Sequence, residues 1–269
     1  MPDAVDLTTF QPVRHGFSAV ISRSGPWLLR EPRSSEAQRR QDHEADVLAA
    51  VADALPVEVP IVESRIPPSP ERPYGAHLVR WLEGDEVDRT VAPESVARFL
   101  ETLHGLDSAT TRGLLPTFAE WCQQQRKLET AGLAALTGRI EDRLLAELAR
   151  LMNRLGDRIA DCPRPGVVHG DLWYGNMLMR DHRLTGVLDW EFAAIGDPLV
   201  DYAALWYLGD DFMATLLAEQ SVADLPETVQ YYRVLREFAG LTWSIDNHDE
   251  QELRESVAKV TNVAGLVLS

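Results

Sequence analysis

The sequence predicts an α+β chain in two lobes: a small antiparallel β lobe with one helix, then a larger, mostly helical lobe. Three observations carry this expectation. Short β-branched and apolar runs, separated by turn residues, crowd residues 10–82. Beyond Trp81, apolar residues recur every three or four positions, the period of a helix with one buried face. Between the two regimes stand Leu82, Glu83, Gly84 and Asp85, which read as a hinge. The expected division is 1–82 and 83–269.

In the first lobe, 17–22 (FSAVIS) and 26–31 (PWLLRE) are strand candidates around Arg23, Ser24 and Gly25, a hairpin signal. Ser35 opens a helix, with Gln38 three residues on as a weak capping box. That helix runs to about Leu55, where prolines at 56 and 60 break it. IVESRI and AHLVRW supply two more strand candidates, and about five strands are expected in all. The proline-rich PPSPERPYG between them cannot donate to a ladder and reads as a surface loop. In the second lobe, 93–106 places Val96, Phe99, Leu100 and Leu103 on one face. The clearest helix is 139–160, where Ile140, Leu144, Leu148, Leu151, Leu155 and Ile159 line up with charges opposite. Further helices are expected at 199–208, 210–220, 227–244 and 249–265.

Composition narrows the function classes. A hydrophobic fraction of 45% and a charged fraction of 25% are those of an ordinary globular protein. A net charge of −16 argues against nucleic acid as a partner, because its binders need Lys and Arg to displace phosphate counterions. The same charge suits a cationic small molecule drawn in by the protein's field, and equally suits plain solubility. Cys122 and Cys162 lack metal-ligand spacing and read as reduced, half-buried thiols, which fits a cytoplasmic location. The start, MPDAVDLTTFQ, carries no basic-then-apolar signal, and no apolar window is long enough for a membrane span.

The chemistry is concentrated in VVHGDLWYGNMLM and the following GVLDWEFAAIGDPLVDY. Asp171 lies five residues before Asn176 and eighteen before Asp189, between apolar runs that read as strands. That is the spacing of a kinase catalytic loop and its metal carboxylate. Phosphoryl transfer leaves a protein little covalent work. It needs hard oxygen ligands for a divalent cation and a carboxylate facing the acceptor hydroxyl.

These residues resemble the aminoglycoside phosphotransferase and choline kinase branch of the protein-kinase-like fold. The family pattern HGDxxxxN, then D(F/W)(D/E), then GDPxxDxA is matched in order by 169–176, 189–191 and 196–203. The resemblance implies that Asp171 orients the acceptor hydroxyl and that Asn176 and Asp189 hold Mg²⁺ against the phosphates of ATP or GTP. It implies a structural role for His169 and a bracing role for Asp197 and Asp201 behind the catalytic loop. Trp173 and Tyr174 fall where the loop faces the acceptor. Glu191 follows Asp189 by two, so in a strand its side chain would point the same way, toward a second metal or a substrate ammonium.

In the first lobe the resemblance puts Arg30 where kinases carry the strand lysine that reaches the phosphates, and Glu44 where a helix glutamate pairs with it. Arginine in place of lysine still clamps phosphate, through its fork of donors. A phosphate-covering loop is expected at Gly16 and Ser18, although GxGxxG is missing there. The nucleobase edge is expected to meet the backbone near Arg80 and Leu82. The implied activity is transfer of the γ-phosphoryl group to a hydroxyl of a small molecule, with an aminoglycoside or another hydroxylated antibiotic as leading acceptor. A metabolic kinase for choline, homoserine, a sugar or a fructosamine stays open, as does a catalytically silent binding module.

Overall fold

The structure is a computed structural model that describes residues 5–15, 19–107, 110–111, 113–160, 162–219 and 228–268. The chain forms two compact units that interleave along the sequence. The first comprises Met1–Thr102, Asp107–Leu115 and Gly175–Phe192; the second comprises Leu103–Leu106, Pro116–Tyr174 and Ala193–Ser269.

The first unit is built on a five-stranded antiparallel sheet: β1 (Gln11–His15), β2 (Ala19–Ser24), β3 (Trp27–Pro32), β4 (Val62–Ile66) and β5 (Ala76–Arg80), in the order β1-β2-β3-β5-β4. The β2–β3 hairpin turns through Gly25, whose φ of 55° fits the tight two-residue connection expected there. The helix α1 (Ser35–Val51) packs its Ala45, Val47, Leu48 and Val51 into the core of this unit. Its N-cap differs from expectation. Ser34, not Ser35, accepts the Ala37 amide, at 3.1 Å, because Ser34 keeps an extended backbone while Ser35 is already helical. Gln38 therefore takes no part in a capping box.

The rest of the first unit comes from beyond the expected hinge. Strand β6 (Asp85–Glu86) pairs with β8 (Met177–Arg180), and β8 pairs with β9 (Arg183–Val187). Most of α2 (Pro93–His104) belongs here too, and Phe99 meets Trp190 edge to face at 6.4 Å.

The second unit is mainly helical: α3 (Phe118–Leu136), α4 (Asp142–Ile159), α5 (Leu199–Leu205), α6 (Asp210–Glu219), α7 (Thr228–Asp246) and α8 (Glu250–Leu268). A small ladder of β7 (Gly166–Val168) with β10 (Ala194–Gly196) completes it. Of the expected apolar stripe, Leu148, Leu151, Leu155 and Ile159 are buried with Leu136, Tyr232, Phe238 and Leu241, while Leu144 and Ile140, the latter just before α4, are partly buried against the same core. Helix α3 was not anticipated. Its buried positions include Glu129 and Gly132, so its apolar residues do not mark a continuous stripe. A capping box of Thr117 and Glu120 starts it. No helix among the described residues is long and apolar enough to cross a membrane.

Candidate active site

In the second unit, the segment after β7 is held from behind by one buried carboxylate. Asp201 is fully buried on α5 and accepts three hydrogen bonds: from the His169 amide at 3.1 Å, the Gly170 amide at 2.9 Å and His104 Nε2 at 3.0 Å. Burial pushes this carboxyl upward. The hydrogen bonds from His104 and from the Gly170 amide outweigh it, so the group ends below its ordinary value. Gly170 adopts φ 80°, which lets consecutive amides aim at one carboxylate without a Cβ penalty. The Asp171 amide then donates back to His169 Nδ1 at 3.2 Å. His169 is wholly buried.

Asp197, the other residue of the GDPxxDxA match, is bonded to α5 and α7. It accepts the Leu199 amide at 3.0 Å and the Tyr232 hydroxyl at 2.9 Å, so it secures the start of α5 to α7. Burial raises its carboxyl despite those bonds.

The side chain of Asp171 is about one-quarter exposed and is met by a residue that sequence reasoning missed. Arg236 Nη1, on α7, donates to Asp171 Oδ1 at 2.8 Å. Arg236 also lies over the Tyr207 ring at 5.6 Å, and the Tyr207 hydroxyl bonds the buried Glu237. Burial and the nearby Glu237 charge push the Tyr207 hydroxyl far above its usual range. Tyr207 meets Tyr174 edge to face at 6.3 Å, and Tyr174 meets Trp173 at 4.8 Å. Asp171 is thus accompanied by an aromatic group of three rings and a cation. No sequence signal links Arg236 to Asp171, because the two are 65 residues apart and on different elements.

The first unit carries the other predicted residues. The β8–β9 ladder pairs Met177 with Val187, and its next bond runs from the Leu188 amide to the Asn176 carbonyl at 2.8 Å. Asn176 is thereby set beside the residue preceding Asp189. Asn176 is buried, while Asp189 is exposed with φ 60°, a conformation that costs a non-glycine residue on the order of 1 kcal/mol. Among the described residues no cluster of three or more His, Cys, Asp or Glu forms a metal cage. An amide oxygen and a carboxylate are hard oxygen donors of the kind that suits Mg²⁺.

Glu191 does not follow the strand premise. Strand β9 ends at Val187, and Glu191 lies exposed in a turn, so the two-residue alternation with Asp189 is lost.

Arg30 and Glu44 do meet: Arg30 Nη1 lies 2.9 Å from Glu44 Oε2, and the glutamate is almost fully buried. The other oxygen of Glu44 accepts the Trp190 amide at 3.0 Å. Glu44 therefore ties β3 and α1 to the residue that follows Asp189. Arg80 is exposed, sits over the Trp27 ring at 5.2 Å and reaches Glu63 at 3.4 Å. Between Arg80 and the half-buried Leu82, the Trp81 amide donates to the Pro26 carbonyl. Gly16 and Ser18 lie outside the described residues.

A strand-borne arginine paired with a helix glutamate, an HGD segment braced from behind and an Asn/Asp hairpin are the parts of a kinase-type enzyme. Comparison with known proteins agrees. The model of the phosphotransferase enzyme family matches residues 9–238, and the chain belongs to that family. It is a phosphotransferase of the kind that acts on an alcohol group. Viomycin phosphotransferase of Streptomyces vinaceus is 28% identical over 250 residues, covering 84% of each chain. Among solved structures, APH(2")-IIia in its complex with GDP and kanamycin superposes with a TM-score of 0.82 at 18% identity, covering 97% of this chain and 94% of that one. Macrolide 2'-phosphotransferase type I gives 0.72 at 22% identity, covering 93% and 90%. At these identities the likeness establishes the fold, which is protein-kinase-like.

Proposed function

We propose that this chain inactivates a hydroxylated antibiotic by transferring to it the γ-phosphoryl group of ATP or GTP in the presence of Mg²⁺. The observation that carries the reading is the setting of Asp171: a part-exposed carboxylate on a loop whose amides are anchored by a buried aspartate. A carboxylate so placed accepts a hydrogen bond from the acceptor hydroxyl and takes its proton late in transfer.

The remaining roles follow from residue chemistry. Asn176 and Asp189 hold the cation, which when bound neutralises charge on the phosphates. Arg30, steadied by Glu44, meets phosphate oxygens with its fork of donors. Gly16, Ser18, Arg80 and Leu82 stay assigned to the nucleotide. Nucleotide handling belongs mainly to 1–82, and catalysis with acceptor binding to 83–269. Trp173 and Tyr174, with Tyr207 beside them, give flat apolar faces to the acceptor, and Glu237, bonded by the Tyr207 hydroxyl, and Asp210, close to Tyr207 in sequence, add negative charge. That mixture suits a cationic, ring-containing molecule, and the similarity to viomycin phosphotransferase supports an antibiotic over a metabolite. Two free thiols suit work in the cytosol.

The test is a phosphorylation screen. The purified chain, Mg²⁺ and ATP or GTP are incubated with peptide, aminoglycoside and macrolide antibiotics and with choline, homoserine and sugars, and products are weighed by mass spectrometry. A singly phosphorylated antibiotic supports the reading. Phosphorylation of a metabolite alone would move the protein to the metabolic branch.

A further inference from the structure

The first unit has a cleft of about 280 Å³ on the side of α1 where β4 ends and β5 begins. Its walls include Pro68, Tyr74, Gln41, His77 and the Asp42–Arg65 ion pair, so flat apolar surfaces face polar side chains. Two of these residues are unusual. Gln41 is only 4% exposed, and neither its amide oxygen nor its amide nitrogen has a hydrogen-bond partner among the described residues. His77 is 5% exposed and bonds Asp42 through Nε2 at 2.8 Å, while its Nδ1 has no partner among the described residues. Buried side-chain amides are nearly always bonded, because each unsatisfied group carries a desolvation cost. Nothing in the phosphotransfer reading uses either residue.

The donor and acceptor pattern defines a ligand. His77 donates from Nε2 to the Asp42 carboxylate, which leaves Nδ1 as an acceptor. Gln41 offers one acceptor and two N–H donors. No hydrogen bond holds its amide in place, so turning the terminal torsion toward the cleft breaks none. A matching molecule presents a carbonyl beside an N–H for Gln41 and a second N–H for His77. A primary carboxamide has this pattern. A planar ring attached to it would lie against Pro68 and Tyr74, and a carboxylate in its place has no N–H to offer either Gln41 or His77.

We propose that this cleft is a second binding site, distinct from the phosphotransfer machinery, for a small neutral aromatic carboxamide. The site has a physical route to function. Gln41 lies one helical turn before Glu44 on α1, and Glu44 holds both Arg30 and the Trp190 amide. A ligand that shifts this turn of α1 changes the setting of Arg30, so nucleotide affinity responds to it. The binding itself does not depend on the phosphotransferase reading.

The test uses the full chain with benzamide as probe and benzoate as control, by calorimetry and by ¹H–¹⁵N spectra. Expected are saturable benzamide binding, a chemical-shift change at the Gln41 side-chain amide, and benzoate binding at least about tenfold weaker. Gln41→Met, near in shape and apolar, weakens benzamide at least about tenfold. Without ligand it keeps or raises Tm, since it removes an unbonded buried amide. Non-saturable binding, no change at the Gln41 amide in the wild type, or equal affinity in a folded Gln41→Met overturns the site. A lower Tm for Gln41→Met also counts against it, because the amide would then be bonded within the fold. The spectrum of the wild type decides the matter even if the variant misfolds. Active enzyme without benzamide binding refutes this inference alone, and benzamide binding without phosphotransfer refutes only the proposed function.

Discussion

Arg236 donates to the Asp171 carboxylate at 2.8 Å, from a helix 65 residues further along the chain. The pair is only partly exposed, so the cation both neutralises the carboxylate and fixes its direction. Arg236 is itself steadied by the Tyr207 ring. We therefore expect Arg236→Met to lower kcat by about 10–100-fold through misplacement of Asp171, with nucleotide KM little changed. Steady-state kinetics check this. An unchanged kcat would reduce the pair to a surface contact.

Glu44 bonds in two directions, to Arg30 and to the Trp190 amide, and is buried. Glu44→Leu leaves the Arg30 guanidinium without its counter-ion and orphans the Trp190 amide. A stability loss of about 3 kcal/mol is expected in urea unfolding, together with a raised nucleotide KM. A loss below about 1 kcal/mol, the worth of an exposed pair, would contradict this.

His77 makes stability depend on pH. Burial holds its imidazole below the ordinary value of 6.5, against the pull of Asp42, with the Arg30 and Arg65 charges adding to the lowering. Between that lowered value and 6.5 the unfolded chain binds the extra proton. Stability is therefore complete above 6.5 and falls as pH drops through it. Urea midpoints measured from about pH 8 down to about pH 5 should show the decline, and His77→Gln should flatten it. Parallel curves for the two proteins would show that other groups set the slope.

Helices α3 and α7 pack at Gly132. A Cβ there would lie 2.2 Å from Phe238 Cγ, inside contact distance of a ring that is fully buried. Gly132→Ala is expected to cost about 1–3 kcal/mol in spite of its better helix propensity. A stabilised variant would mean that the two helices separate easily.

The parts of the fold that the sequence disclosed are those where burial and period coincide. Leu148, Leu151 and Leu155 on α4 repeat at helical spacing and are buried. The hairpin at Gly25 needed a positive φ and had a glycine to supply it. Helix α3 escaped notice because a buried Glu129, bonded to the Tyr231 hydroxyl at 2.8 Å, stands where an apolar residue would have completed the stripe. The same logic divides the site. Asp171, Asn176 and Asp189 could be nominated from the sequence because they lie in one short segment that matches the family pattern. Arg236, and the tie from Glu44 to Trp190, depend on elements brought together by folding, and distance along the chain hides such pairs. The strand premise for Glu191 fails because Asp189 leaves the extended backbone, at φ 60°, and the strand alternation ends before it.

The central claim is that the Asp171 carboxylate serves phosphoryl transfer to an acceptor hydroxyl. Single-turnover phosphoryl transfer to the antibiotic that the screen identifies as acceptor, measured for wild type and Asp171→Asn at saturating nucleotide and Mg²⁺, tests it most directly. A fall of about 10²–10⁴-fold in the transfer rate with nucleotide affinity preserved is the predicted result. Equal rates for the two proteins would contradict the account.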